Sequence, residues 1–356
     1  VNLKIALLPH SEFGDLIMNQ GVKCIRAIEE NYNHHFTTTY LQSLERRDNY
    51  WLTEEVIKNC KKSDAILSSF PITQKKYYQN SKLKSVSLTQ ILDCDATVAP
   101  FLAFPQTLYK DALDHTTPDF VIFTASKSGQ YASLSEPLVA ATDIYTPNIQ
   151  GVHLLFHLAF KTAKNRNKNL IVVTPNGPLK ASLWKKTLDE VSQSYPLVKV
   201  SEMGMEEIMN ILKYKPEDLD CVFADEIMGP ILQFQSKANC DMSFVLPLAH
   251  TGMGINLFEP LSPINCHSLS SDPNPISLIY GVALMLSRFG LQEEASAIQL
   301  AINSAAKRGM FSFKQQLPIE ISCDQLGDYI AAAIIDADDI GELNDENIDL
   351  GKSTII

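Results

Sequence analysis

Residues 222–234 read Val222-Phe223-Ala224-Asp225-Glu226-Ile227-Met228-Gly229-Pro230-Ile231-Leu232-Gln233-Phe234. The stretch has the form of a strand, a turn and the start of a helix. Asp225 and Glu226 sit where carboxylates suit a helix entry. Positions 230 and 234 are four residues apart and share one helix face. They are proline and phenylalanine, and neither side chain has an atom that can ligate a metal.

The same alternation extends outward in both directions. Residues 219–224 complete the strand, and 205–212 before them form a short helix with Met205, Ile208, Met209 and Leu212 facing a core. Residues 184–194 are amphipathic. Asn169-Leu170-Ile171-Val172-Val173 is a strand closed by the breakers Thr174-Pro175-Asn176-Gly177-Pro178. A long helix spans 149–164, and residues 119–123 are a strand. Near the start, 3–8 is an apolar strand. Residues 14–30 have helical spacing, with Leu16, Ile17, Val22, Ile25 and Ile28 mostly on one face. Strands follow at 36–40 and 64–70, with Thr53 an N-cap before Glu54 and Glu55 between them. This β-α-β order implies parallel pairing. After Gly252 the pattern turns helical at 276–289, 293–307 and 325–335. The proline- and serine-rich stretch 260–275 is a loop, and the tail from Asp336 is acidic and frays.

Size and composition narrow the function. The chain has 356 residues, 45% hydrophobic and 20% charged, enough for a large core and two domains. The formal net charge of −11 disfavours a nucleic-acid partner, which calls for a basic stripe. No apolar run reaches the length of a membrane span, and residues 1–9 read as a strand and not a signal peptide. Seven scattered cysteines with no C-x-x-C pair fit reduced thiols and a cytoplasmic location.

Landmarks in a fixed order resemble the isocitrate/isopropylmalate dehydrogenase family. Lys4-Ile5-Ala6-Leu7-Leu8-Pro9 is similar to its opening strand, and Asp64-Ala65-Ile66-Leu67 to its D-A-V-L strand. Gly129-Gln130-Tyr131 resembles the end of E-G-E-Y, and Ala159-Phe160 to Arg166 the A-F-x-x-A-x-x-R helix. Leu183-Trp184, Tyr195-Pro196, Phe258-Glu259-Pro260 and Asn274-Pro275 match L-W, Y-P, F-E-P and N-P. Gly290-Leu291 to Ile298 follows. The resemblance spans roughly residues 3–335 and implies an α/β fold of two domains with a cleft between them. It implies a discontinuous first, cofactor-type domain (1–105 plus 255–356) and a second domain (106–254) with the dimer contact.

The resemblance also implies where chemistry would sit. The family's two metal-binding aspartates fall on Pro230 and Phe234, and its lysine on Thr174. Its substrate arginines fall on Ala99 and Thr124. A third metal carboxylate falls near Glu206, a remnant. Tyr131 and a relocated Lys127 are the candidate catalytic residues. Asn176, Glu259 and Asn274 are the candidate cofactor-binding residues, and Glu259 also reads as structural. Oxidative decarboxylation of a 2-hydroxy acid requires a hydride acceptor, a base, a polarising cation and cationic carboxylate anchors. A positioned acid or base alone contributes about 10²–10⁴ in rate, and Thr174 is no base at neutral pH. Magnesium or manganese is therefore not expected, while NAD or NADP stays a candidate ligand. The first reading is a divergent homologue without the family reaction, acting as a pseudoenzyme, binding module or regulatory subunit. The alternatives are an active NAD(P)-dependent dehydrogenase of a 2-hydroxy acid with relocated groups, and a related-fold enzyme of a phosphorylated substrate. A homodimer, or pairing with a paralogue, is implied by resemblance. Plainer readings suit the other candidates: Lys180 as an exposed helix lysine, His153 and His157 as an i, i+4 pair without a metal, and His10 and Cys266-His267 as loop residues.

Overall fold

The structure is a computed structural model. It describes residues 1–9, 12–42, 44–46, 49–51, 53–71, 77–78, 85–86, 88–94, 96–101, 119–125, 129–135, 141–147, 149–239, 245–252, 255–262, 272–311 and 320–336. The chain opens with β1 (Asn2–Leu8), α1 (Glu12–Tyr32) and β2 (His35–Tyr40). Two small ribbons, β3 (Leu44–Arg46) with β4 (Asn49–Trp51) and β6 (Tyr77–Tyr78) with β7 (Ser85–Val86), flank α2 (Glu54–Cys60) and β5 (Ala65–Ser68). Next come α3 (Leu88–Ile91), β8 (Ala96–Phe101) and β9 (Phe120–Thr124). An antiparallel arm, β10 (Gly129–Ser135) with β11 (Ala141–Pro147), precedes α4 (Ile149–Asn165). Then β12 (Asn169–Val173), α5 (Pro178–Ser192), β13 (Lys199–Met203), α6 (Met205–Tyr214), β14 (Cys221–Ala224) and α7 (Met228–Asn239) alternate. The chain returns through β15 (Pro247–Thr251) and β16 (Asn256–Pro260) and continues in α8 (Ile276–Arg288), α9 (Gln292–Lys307) and α10 (Cys323–Ile335).

Among the described residues, ten strands form one sheet in the order β13-β12-β14-β9-β8-β15-β16-β5-β1-β2. Its two flanks are parallel, β2-β1-β5-β16 on one side and β9-β14-β12-β13 on the other. Between them β8 and β15 pair antiparallel with each other and with their outer neighbours. The flanks therefore run in opposite directions, and their carboxyl ends open on opposite edges. Strands buried on both faces read as unbroken apolar runs, and β5, β9 and β14 are buried at every residue. Helix α8, buried at every residue from Ile276 to Ser287, fills the core of the first flank as a helix apolar all round does.

The expected elements are present with shifted ends. Thr53 caps α2 through its hydroxyl. Helix α5 begins six residues before the expected 184. Pro178, read as a breaker, is its first residue, where a fixed φ and a missing N–H cost nothing, and Gly177 ahead of it adopts φ +96°. The tail beyond residue 336 lies outside the described residues. Five described cysteines are buried thiols in no disulfide. Burial pushes the thiols of Cys24, Cys60 and Cys323 up to about 12, so they stay protonated and unreactive.

Candidate functional site

The two central antiparallel strands carry a row of polar side chains across one face of the sheet. Thr124 on β9 pairs with Thr97 on β8, and Thr97 pairs with His250 on β15. Directly opposite residues share a face, so all three point the same way. Glu259 on β16 sits two residues beyond Leu257, the partner of His250, and so joins that face. His250 Nε2 and Glu259 Oε1 are 2.9 Å apart, both side chains buried. The other ring nitrogen of His250 is buried with no hydrogen-bond partner among the described residues.

Helix α7 closes over the Thr97–Thr124 end of this row. Gln233 Nε2 donates to Thr124 Oγ1 at 2.9 Å and to Thr97 Oγ1 at 3.1 Å. The approach depends on Gly229, where a Cβ would stand 2.2 Å from Thr124 Oγ1. This floor is neutral: two hydroxyls and a carboxamide, each hydrogen bond contributing about 0.5–1.5 kcal/mol net.

Charge lies instead at the entry of α7. Asp225, fully buried, accepts the Ile227 and Met228 N–H groups on Oδ1, fixing the first turn. Its Oδ2 is 2.9 Å from Lys180 Nζ, which also reaches Glu226 Oε1 at 2.6 Å. The expectation of an exposed Lys180 is thus corrected. Only 12% of its side chain is accessible, because the early start of α5 carries it back over the end of β14. Glu226 Oε2 is buried with no hydrogen-bond partner among the described residues.

The residues singled out in the sequence scatter around this floor. Pro230 and Phe234 are exposed on α7, Phe234 to 73%. With Ile227 and Ile231, also exposed, they form an apolar stripe at i, i+3, i+4 and i+7 spacing. Glu206 is exposed in the first turn of α6. Thr174 and Asn176 are exposed beyond the end of β12. Asn274 is buried, and its Oδ1 accepts the Ile276 N–H at the start of α8, so it shapes that turn. Glu259 is buried against His250, in keeping with its structural reading. Tyr131 lies in β10 opposite Tyr145. Lys127, His10, Cys266 and His267 lie outside the described residues. His153 and His157 stack edge to face, and His157 meets Tyr195 at 3.1 Å. Burial, followed by the nearby His153, lowers the pKa of His157.

The side chains of Pro230 and Phe234 supply no oxygen, so these two positions do not fit a divalent cation, which wants clustered oxygen ligands. Among the described residues no three or more His, Cys, Asp or Glu side chains stand together as a metal site. The sequence reading missed Gln233, Thr97 and His250, and took Lys180 for an exposed lysine. Gln233 was adjacent to a quoted position, but only the helix phase turns it onto the floor. His250 had no local signal, because its partner is on the next strand.

Residues 4–330 match the profile of the isocitrate/isopropylmalate dehydrogenase family. The chain belongs to this family. It is 27% identical over 336 residues to a 3-isopropylmalate dehydrogenase of Bacillus subtilis, covering 86% of this chain and 90% of that one. It is 26% identical to one of Helicobacter hepaticus, covering 93% and 99%. The family fold is also that of an isocitrate dehydrogenase from Methylococcus capsulatus (TM-score 0.72, 18% identity, 94% and 99% coverage). A beta-decarboxylating dehydrogenase from Thermococcus kodakarensis gives a TM-score of 0.73 at 18% identity, with 97% and 100% coverage. Among the described residues of this family member, no helix is long and apolar enough to cross a membrane.

Proposed function

We propose that this family member does not carry out metal-dependent oxidative decarboxylation, and that it serves as a binding or regulatory subunit, self-paired or paired with a paralogue. One observation carries the reading. Where the family resemblance places two aspartates, the helix presents Pro230 and Phe234. Between them Gln233 ties the helix to Thr97 and Thr124, the latter at an arginine position of the family. A metal that stabilises an enolate removes several kcal/mol from the barrier, and a neutral floor supplies neither that metal nor a grip on a carboxylate. The test incubates the purified chain with NAD or NADP, manganese, and 3-isopropylmalate or isocitrate. Failure to form reduced cofactor and carbon dioxide, with intact folding, supports the reading.

The second reading is favoured by the His250–Glu259 pair. A buried carboxylate orienting an imidazole is the arrangement of a positioned base. On this reading the chain is an NAD(P)-linked dehydrogenase whose base has moved to the central strands, and magnesium or manganese plays no part. Reduced cofactor formed without divalent cations, and lost in His250→Gln, would support it over the first.

A further inference from the structure

At the opposite edge of the sheet from β2, a cavity of about 260 Å³ opens between α5 and the carboxyl ends of β12 and β13. The volume falls short of the roughly 300–1,000 Å³ typical of drug-sized ligands and suits a small metabolite. Val172, Trp184 and Leu188 make its apolar wall, and the exposed Thr174 and Ser182 stand at its border. Trp184 is buried, and its indole Nε1 has no hydrogen-bond acceptor among the described residues.

The charges on the cavity define what it can take. Lys185 and Glu202 both line it, with Nζ and Oε1 2.5 Å apart and each side chain about half exposed. Asp189 approaches the same ammonium at 3.4 Å. A simple anion entering here meets Lys185 together with two carboxylates. A simple cation meets Glu202 together with the lysine. A ligand with both charges on adjacent atoms exchanges both partners at once and strands neither. We propose that this cavity is a binding site for a free α-amino acid with an unbranched apolar side chain. Its carboxylate is taken by Lys185, its ammonium by Glu202, and its side chain packs against Val172, Trp184 and Leu188.

The site is independent of the cleft reading, since its test involves neither cofactor nor turnover. Isothermal titration of the full chain with L-norleucine, hexanoate and pentylamine separates the parts, because the last two are norleucine without its ammonium or its carboxylate. Norleucine is expected to bind at least about tenfold more tightly than either analogue. Lys185→Met and Glu202→Gln, both at exposed positions that leave the fold intact, are each expected to erase most of that advantage. Ser182→Trp, which fills the mouth, is expected to abolish binding while leaving the melting temperature of the free chain unchanged. The proposal is overturned if norleucine gives no heat at millimolar concentration. It is equally overturned if hexanoate or pentylamine binds as tightly as norleucine, or if Ser182→Trp binds as the parent does.

Discussion

Two polar clusters in this molecule have opposite characters. Under β12 and β14, Arg166 is fully buried and donates from Nε to Asp220 and from Nη2 to both the carbonyl and the carboxylate of Asp119. Asp220 also accepts the Asn169 N–H at the start of β12, so one ionic knot ties α4 to three strands. Burial raises the pKa of Asp119 against the pull of Arg166. On the central strands, Thr97, Thr124 and Gln233 do the joining with no charge at all. Charge survives where it holds elements together. At 99, 124, 174, 230 and 234, where the family resemblance places charged side chains, this chain carries alanine, threonine, threonine, proline and phenylalanine.

The comparison is broken most forcefully at the knot. Arg166→Met leaves the carboxylates of Asp220 and Asp119 without their partner, and should cost about 3–5 kcal/mol in denaturant unfolding. A loss below about 1 kcal/mol would mean the knot is not the structural charge it is taken to be. At the floor, Gly229→Ala drives a methyl into Thr124 and should cost about 1–3 kcal/mol. Gly229→Ala/Thr124→Gly should relieve the collision but forfeit the Gln233–Thr124 hydrogen bond, so only part of the loss should return. Gln233→Ala should cost about 1–2 kcal/mol from two lost hydrogen bonds, with no effect of added manganese on stability.

How much of this was legible in the sequence differs between the two clusters. The alternation of apolar runs and caps announced the strands and helices of both flanks, since period and breakers are local signals. Arg166 was visible as the end of a helix motif, and Pro230 and Phe234 as departures at known places. The floor was not visible. Gln233 joins Thr97 across 136 positions, and His250 meets Glu259 only because β15 and β16 pair antiparallel, which no local pattern announces. Lys180 was read as a helix lysine open to solvent, because nothing local shows that Asp225 and Glu226, 45 and 46 positions on, close over it.

A smaller effect sharpens the contrast between structural and absent charge. Asp324 accepts from Gln20, then from Lys23, and its carboxyl titrates below the ordinary range. A depressed carboxylate contributes stability above its unfolded pKa and loses it as pH falls through the folded value. Asp324→Asn should therefore cost about 0.5 kcal/mol or less at pH 7, given its exposure. The difference should shrink as pH falls below the ordinary carboxylate range and vanish once it has passed the depressed folded value.

The separation of scaffold from reaction is tested most directly by one assay on folded, purified chain. Carbon dioxide and reduced dinucleotide are followed together with 3-isopropylmalate or isocitrate, NAD or NADP, and manganese. No release of either product above the protein-free control is the result the neutral floor predicts. Stoichiometric carbon dioxide and reduced cofactor, dependent on manganese, would contradict it.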